Sequence, residues 1–203
     1  MLPELKICQL DTVPLKIYTP KNPHDAIEEN KCDLYAYIWP AGIICAEYIH
    51  KHQIHGKVLE LGCGNGISGV MALKSGASCV HFTDISKEAL ELSELNCQIN
   101  NVSGGTYALL DWFNPPEYNE LYDYIIASDC LYLSRTFSKL KEILNKYLKK
   151  DGVAIFVDPG RGLIDNFVVK LDEFNVERID AMNIRTVVGP LKLATTLVIK
   201  WNN

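Results

Sequence analysis

The sequence predicts an α/β fold in which a parallel sheet carries helices on both faces. From Leu34 onward, short apolar runs with strand character alternate with segments whose apolar residues recur at helical spacing. No internal repeat and no interior linker interrupts this alternation. Because parallel neighbours must be joined by crossovers, we expect five strands separated by crossover connections and then two closing strands.

Each predicted element rests on a local pattern. The expected core strands are 58–61, 80–83, 107–110, 124–128, 153–157, 176–181 and 195–201. Helices are expected from Pro40, over residues 67–74, after Ser86 and from residue 137 to the vicinity of Asp151-Gly152, with Ser86 as an N-terminal cap. The last two strands are expected to be joined by a loop that contains Gly189-Pro190.

The first 30 residues are predicted to form a small N-terminal extension. Residues 5–10 and 15–18 have strand character around Asp11 and Pro14, which favours a hairpin laid on the main domain. The polar stretch 21–30 is predicted to be a loop. Residues 31–203 then form a single domain.

The composition is that of a mildly acidic globular protein. The 203 residues include 20 Lys and Arg against 25 Asp and Glu, a formal net charge of −5, and 48% are hydrophobic. This apolar content argues against disorder, and the acidity argues against a DNA partner. No apolar run approaches the roughly 18–20 residues of a membrane span, and the N-terminus lacks the layout of a signal peptide. The seven cysteines form no C-x-x-C pair, so we expect reduced, buried thiols in a cytoplasmic protein.

A glycine-rich turn follows the first core strand. Gly62, Gly64 and Gly66 alternate with other residues, which allows a sharp turn and close approach of a ligand, and Cys63 is expected to contribute its backbone there. Asp84 ends the next strand 22 positions after Gly62, where a carboxylate can bind a ribose diol. The turn alone is ambiguous, because structural turns also use glycine and residues 64–69 match G-x-G-x-x-G. Turn and carboxylate together indicate a nucleoside-containing cofactor.

Three features favour S-adenosyl-L-methionine over a dinucleotide. Glu60 lies just before the glycines, where a carboxylate can accept a hydrogen bond from an ammonium group. The groups around the turn are acidic rather than basic, which suits a cation better than phosphates. Only 45 residues follow Asp158, too few for a second mononucleotide-binding half. A dehydrogenase is therefore the minor alternative.

The third and fourth strands also end in candidate site residues. Asp111 could bind an adenine amino group and Trp112 could cover the ring, although a tryptophan that plugs a loop onto the core gives the same pattern. The fourth strand ends at Ser128, and Asp129 and Tyr132 follow with a spacing that places both side chains on one side of a turn. This D-x-x-Y segment is the candidate chemical centre.

Two other clusters favour structural interpretations. His50, His52 and His55 fall near the end of the helix that begins at Pro40, where cationic side chains interact well with the helix terminus. No metal site is therefore expected. Asp158-Pro159-Gly160-Arg161 is typical of a turn, with the alternative that Arg161 grips a substrate carboxylate or shapes the rim of the pocket.

The order of these motifs resembles the seven-strand class I S-adenosylmethionine-dependent methyltransferases. Within that class, the chain is similar to the protein-lysine methyltransferases with a D-x-x-Y motif, especially the electron-transfer-flavoprotein β-subunit lysine methyltransferase group and its bacterial relatives. The likeness covers roughly residues 33–201. The segments that carry it are Trp39-Pro40-Ala41-Gly42, ELGCGNG, Asp84, Leu95-Asn96-Cys97, Leu110-Asp111-Trp112, Asp129-Cys130-Leu131-Tyr132 and Asp158-Pro159-Gly160-Arg161.

The resemblance implies a Rossmann-like, three-layer α-β-α fold with strand order 3-2-1-4-5-7-6 and an antiparallel last strand. It implies S-adenosyl-L-methionine as methyl donor and S-adenosyl-L-homocysteine as product. Together with the residue patterns, it predicts cofactor contacts from Trp39, Glu60, Gly62, Cys63, Gly64, Gly66, Asp84, Ile85, Asp111, Trp112 and Ser128. Asp129 and Tyr132 are expected to be the catalytic pair, with Asp129 positioning the incoming amine.

The predicted function is methylation of lysine side chains in a protein partner. One alternative keeps the cofactor and methylates a small molecule with a nicotinamide-like nitrogen. Another is a protein that binds the cofactor without catalysis. No sequence pattern bears on the oligomeric state.

Overall fold

The computed structural model describes residues 5–10, 12–21, 34–117 and 119–202. The strands are β1 (Leu5–Gln9), β2 (Lys16–Pro20), β3 (Gly56–Leu61), β4 (Ala77–Asp84), β5 (Gly105–Leu109), β6 (Tyr122–Ser128), β7 (Leu148–Asp158), β8 (Phe174–Thr186) and β9 (Gly189–Trp201). The helices are α1 (Pro40–His52), α2 (Ile67–Lys74), α3 (Lys87–Ile99), α4 (Phe137–Tyr147) and α5 (Ile164–Val168). Short 3-10 turns cover Leu34–Ala36 and Ser134–Thr136.

Seven strands form one sheet in the order β5-β4-β3-β6-β7-β9-β8. Strands β3 to β7 pair in parallel, whereas β9 runs antiparallel to both β7 and β8. Numbered from the first core strand, the order is 3-2-1-4-5-7-6, so the predicted topology and the antiparallel last strand are confirmed. The chain switches direction across the sheet between β3 and β6, and in such sheets a crevice opens at the carboxyl ends of the two strands.

Alternating side chains divide the core into two layers. Ile126 and Val157 pack with residues of α1, α2 and α3 on one face, whereas Ile125 and Phe156 pack with residues of α4 and α5 on the other. The sheet is therefore covered on both sides. This arrangement confirms the predicted three layers.

The N-terminal hairpin packs on the same core as the sheet. β1 and β2 pair antiparallel, as predicted, and Leu15 and Ile17 are fully buried in the cluster that contains α1 and α2. Asn100 bonds both backbone groups of Lys16, and Asn96 bonds those of Tyr18 in the same way. These two side-chain amides pair with backbone groups of β2 that would otherwise face no neighbouring strand. The predicted loop 21–30, beyond Lys21 itself, and the boundary after residue 30 lie outside the described residues.

Several boundaries differ from the prediction. α4 ends at Tyr147, before Asp151-Gly152, and the short helix α5 has no counterpart in the prediction. The expected loop around Gly189-Pro190 is wrong, because β8 and β9 continue to a tight turn at Val187-Val188 and both residues belong to β9. Most of β8 is exposed at the edge of the sheet, so no apolar alternation marks its second half.

None of the described helices is long and apolar enough to cross a membrane. The cysteines Cys45, Cys63, Cys79, Cys97 and Cys130 are free thiols, and all but Cys79 are buried.

Candidate functional site

A cavity of about 550 Å³ opens at the carboxyl ends of β3, β4 and β6. Its volume lies in the range of pockets for small molecules and cofactors. Its wall contains these predicted site residues: Trp39, Gly62, Gly64, Asp84, Ile85, Asp111, Trp112, Ser128, Asp129 and Tyr132. The structure therefore brings the glycine turn and the D-x-x-Y segment to one cavity.

The glycine turn has the backbone that only glycine adopts readily. Gly62 and Gly64 have φ angles of 61° and 55°. A Cβ atom at Gly62 would lie 3.1 Å from the sulfur of Cys130 and 3.4 Å from Cζ2 of Trp112. The missing side chains keep this part of the cavity open.

Asp84 fixes the turn and faces the same cavity. Its Oδ2 accepts a hydrogen bond from the backbone N–H of Gly64 at 2.9 Å, and its Oδ1 accepts one from Ser86 at 2.9 Å. Burial raises the pKa of Asp84, while these backbone donors oppose the rise. Each carboxylate oxygen can accept a second hydrogen bond, so acceptor capacity remains for a ligand hydroxyl.

Glu60 does not reach the cavity wall. Its side chain is 2% exposed and lies under α2 beside Gly69, and its Oε2 has no hydrogen-bond partner among the described residues. Strand alternation explains this placement, because Leu59 and Leu61 point to the α4 face and Glu60 must point to the opposite one. Burial raises the pKa of Glu60 to about 8. A direct contact between Glu60 and the ammonium group of a ligand stays a prediction, and in this geometry the carboxylate lies behind the cavity wall.

Cys63 and Gly66 also lie outside the cavity wall. The N–H of Cys63 donates to Thr83 at 2.9 Å, and its carbonyl accepts from Gly66 at 2.7 Å. The Cys63 thiol is buried beside Ser93, and burial raises its pKa well above its ordinary value. Both residues shape the turn from within, where their backbone groups already have partners.

Aromatic residues border the cavity on two sides. The indole N–H of Trp39 donates to the carbonyl of Leu34 at 2.8 Å, which fastens the segment before α1. Trp112 lines the cavity and also packs against the core on the α4 face, so covering a ligand and plugging the loop are compatible roles. Asp111 accepts a hydrogen bond from the N–H of Phe113 at 2.9 Å and so stabilises its own turn.

Asp129 occupies an unusual backbone position at the end of β6. Its φ is 61°, and its N–H donates to Val157 on β7 at 2.8 Å. Its Oδ1 forms an ion pair with Arg161, whereas its Oδ2 is buried with no hydrogen-bond partner among the described residues. Burial raises the pKa of Asp129, and the guanidinium of Arg161 opposes that rise. Tyr132 follows in a turn and lines the same cavity.

The segment after β7 places Arg161 against Asp129. Asp158 is 1% exposed, and its two oxygens accept hydrogen bonds from the backbone N–H and the Nη1 of Arg161, at 2.7 and 3.3 Å. Gly160 has a φ of 80°, and a Cβ there would lie 2.9 Å from Leu193. The segment is thus a turn, as its composition indicates, and it carries Arg161 to the cavity wall.

Sequence reasoning did not place several residues of the wall. They are Leu34, Tyr35, Ser86, Leu110, Phe113, Cys130, Leu133, Arg135 and Thr136, together with Arg161, for which a place at the rim was only the alternative. Most of them directly flank a predicted motif residue, so extending each motif by one or two positions finds them. Leu34 and Tyr35 have no such signal, because the 3-10 turn that brings them in is not marked by any periodicity.

The histidine cluster has a structural explanation. His50 and His52 lie in the last turn of α1, and the ring of His52 stacks on Tyr48 with 3.9 Å between the centroids. Within the described ranges, no group of three His, Cys, Asp or Glu side chains could hold a metal ion.

A sheet of this order, with a glycine turn and an acidic residue at the ends of its first two core strands, defines the class I S-adenosylmethionine-dependent methyltransferase fold. Comparison with known protein families leads to the same class. The family described as lysine methyltransferase matches residues 21–170, and this chain belongs to that family.

Individual relatives differ in the side chain that their names specify. The chain is 32% identical over 123 residues to a histidine protein methyltransferase 1 homolog from Dictyostelium discoideum, covering 57% of this chain and 40% of the relative. It is 30% identical over 140 residues to the electron transfer flavoprotein beta subunit lysine methyltransferase from Danio rerio, covering 67% and 54%. The chain thus matches about half the length of these relatives.

Among solved structures, the Pyrococcus abyssi tRNA (uracil-54, C5)-methyltransferase in complex with S-adenosyl-L-homocysteine aligns with a TM-score of 0.65. The sequence identity is 15%, and the alignment covers 98% of this chain and 45% of that one. At this identity, the likeness establishes the fold alone.

Proposed function

We propose that this chain is an S-adenosyl-L-methionine-dependent methyltransferase that modifies lysine side chains of a protein substrate. One observation carries the proposal: a single cavity joins the glycine turn and Asp84 on one side to Asp129 and Tyr132 on the other. Membership in the lysine methyltransferase family supports it. So do the names of the two relatives, both of which are protein methyltransferases.

The cofactor side of the cavity fits a nucleoside with a cationic tail. We assign the ribose hydroxyls to Asp84, whose carboxylate retains free lone pairs, and the adjacent tail to the bare backbone of Gly62 and Gly64. Ile85 and Trp112 offer apolar and aromatic surface for the base. When bound, S-adenosyl-L-methionine supplies a methyl group on a sulfonium, and S-adenosyl-L-homocysteine is the product.

The acceptor side must present an amine lone pair in line with that methyl group and exclude water. A free lysine amine has a pKa of about 10.4, so only about one molecule in a thousand is neutral near neutral pH. We assign Asp129 to binding and orienting the amine and Tyr132 to a second hydrogen bond at the mouth. A role of Asp129 in positioning is enough for this chemistry, because burial beside a sulfonium already favours the neutral amine.

We also propose that the protein acts in the cytoplasm, which the free, buried thiols support. Reduced thiols of this kind persist in compartments where glutathione and thioredoxin prevent disulfide formation.

The test is methyl transfer from radiolabelled S-adenosyl-L-methionine in an undialysed cell extract from the source organism, which retains both protein and small-molecule acceptors. After the reaction, proteins are separated from small molecules by precipitation. Label in the protein fraction is the expected result. Label in a small molecule other than S-adenosyl-L-methionine, separated by chromatography, would favour the nicotinamide-like alternative. Tight cofactor binding without any transfer would favour a non-catalytic cofactor-binding protein.

A further inference from the structure

The two carboxylates and the arginine at the ends of β6 and β7 form one compact cluster. Asp158 holds Arg161 through both of its oxygens, and Arg161 turns its Nη1 to Oδ1 of Asp129. The parallel pairing of β6 and β7 sets this arrangement, because the N–H of Asp129 donates to Val157, next to Asp158. The cluster faces the acceptor side of the cavity.

The charges of this cluster decide what Asp129 can do for an amine. A carboxylate without a cation beside it would stabilise an ammonium ion, and an ammonium ion has no lone pair with which to attack a methyl group. A guanidinium on Oδ1 offsets that charge, while Oδ2 is buried behind the cavity wall and has no hydrogen-bond partner among the described residues.

We propose that Arg161 is a positioning residue that holds Asp129 and offsets its charge, so that Asp129 accepts a hydrogen bond from a neutral substrate amine. This inference rests on the proposed function. In the transfer, the amine nitrogen forms a bond to the methyl carbon as the bond from that carbon to sulfur breaks with its electron pair. The proton that the ammonium form gives up leaves to solvent before the transfer.

Asp158 acts on the titration of a bound amine in the opposite direction to Arg161. Among the described residues, the titratable and charged groups that act on Asp129 or line the cavity with it are Asp158 at the end of β7, Arg161, Cys130, Tyr132, Arg135, Asp84 and Asp111. Asp158 holds Arg161 in place but also adds a second negative charge. Removing the cation and removing this second anion must therefore shift the titration of a bound amine in opposite directions.

The experiment compares Arg161→Met and Asp158→Asn with the wild-type protein. The substrate is the protein that takes up label in the extract assay, purified and used at saturation, and kcat is followed against pH because it reports on the enzyme–substrate complex. We expect the rising limb of the profile to move to higher pH in Arg161→Met by about one unit and to lower pH in Asp158→Asn. Arg185→Met, which removes an exposed arginine of β8, should keep the wild-type profile.

A measurement without substrate accompanies the kinetics. Carbon-detected NMR follows the titration of the Asp129 carboxyl in each variant with S-adenosyl-L-homocysteine bound. The pKa of Asp129 should rise in Arg161→Met and fall in Asp158→Asn. If Arg161→Met does not fold, Asp158→Asn alone decides, since a shift of its kcat profile to higher pH, or no shift, overturns the inference.

The outcomes separate this inference from the proposed function. If the wild-type protein labels no protein, the proposed function fails, whatever the NMR titrations show. If the wild type is active and both variants keep its pH profile, the role of Arg161 fails while the proposed function stands.

Discussion

At the scale of single residues, Asp129 combines an unfavourable backbone with a buried charge. Its φ of 61° lies in the left-handed region, which aspartate and asparagine tolerate better than other residues with a side chain. Such conformations cost on the order of 1–3 kcal/mol and occur often at functional sites. The hydrogen bond from its N–H to Val157 and the ion pair with Arg161 hold it there.

The first prediction concerns this carboxylate. Asp129→Asn preserves shape and tolerates a positive φ, but it removes the charge and one acceptor oxygen. We expect turnover to fall on the order of 100-fold, because a poorly oriented amine loses its alignment with the methyl group. Affinity for S-adenosyl-L-homocysteine, measured by calorimetry, should stay close to that of the wild type.

The control for this prediction is Asp151→Asn, which changes an exposed aspartate of β7. It should leave both turnover and affinity unchanged. Wild-type turnover in Asp129→Asn would remove Asp129 from the acceptor site.

The second prediction concerns the cofactor side. Asp84→Ala removes the acceptor assigned to the ribose diol and also the partner of the Gly64 and Ser86 N–H groups. Affinity for S-adenosyl-L-methionine should fall by at least about tenfold in calorimetry. Glu91→Ala, on the exposed side of α3, is the matched control. Equal affinity in Asp84→Ala and in the wild type would contradict the assignment.

Sequence reasoning found these two aspartates for a physical reason. Each follows an apolar strand run directly, and in a parallel sheet such positions meet at one edge. It could not find the pairing of Arg161 with Asp129, since an ion pair between two loops depends on how the strands are ordered. The ammonium contact expected of Glu60 stays a prediction, and the alternation of Leu59, Glu60 and Leu61 already indicates that its side chain points to the face opposite the two leucines.

At the scale of elements, α2 packs against β3 and β4 through a close glycine contact. A Cβ atom at Gly69 would lie 2.3 Å from Cε1 of Phe82 and 2.4 Å from Oε2 of Glu60. No real Cβ contact is that short. The helix can therefore approach the sheet only because residue 69 lacks a side chain.

The third prediction follows from that contact. Gly69→Ala should lower the free energy of unfolding by about 1–3 kcal/mol, since α2 must shift away from Phe82. Denaturant titration measures the change. Gly162→Ala is the matched control, because a Cβ there meets nothing within 4 Å, and it should stay within about 0.5 kcal/mol of the wild type. Equal stabilities of the two variants would show that α2 adapts freely.

The fourth prediction concerns the pH dependence of stability. Burial raises the pKa of Glu60 from 4.5 to about 8, so the folded protein binds its proton more tightly than the unfolded chain does. The stability that the bound proton contributes is fully present below about pH 4.5 and is lost as the pH rises through 8. Glu60→Gln should therefore flatten the decline of Tm between these values. An unchanged decline would show that another group causes it.

The elements themselves were predictable to different degrees. β3, β4 and β6 are marked by apolar runs that end in turn residues, and Ser86 caps α3 with a hydrogen bond from Ala89, as expected. The long extensions of β8 and β9 carry exposed residues on both faces, so only their pairing with each other identifies them as strands. The backbone hydrogen bonds between β8 and β9 define these extensions, which no pattern in the sequence marks.

At the scale of the whole molecule, the order of strands creates the site. The alternation of strands and helices predicts parallel pairing, and the switch between β3 and β6 then opens the cavity where their ends diverge. The hairpin is tied to the same region, because Asn96 bonds both Tyr18 of β2 and the carbonyl of Asn65 in the glycine turn. Sequence patterns identify the hairpin but not this connection.

The chemical identity of the methylated residue tests the central claim most directly. Protein labelled with radioactive S-adenosyl-L-methionine is hydrolysed to amino acids, which are then separated against methylated standards. We predict that the label co-migrates with methylated lysine and that its rate of incorporation falls sharply when Asp129→Asn replaces the wild-type enzyme. Label in methylhistidine, the residue type named for the Dictyostelium relative, would contradict the claim that this chain modifies lysine.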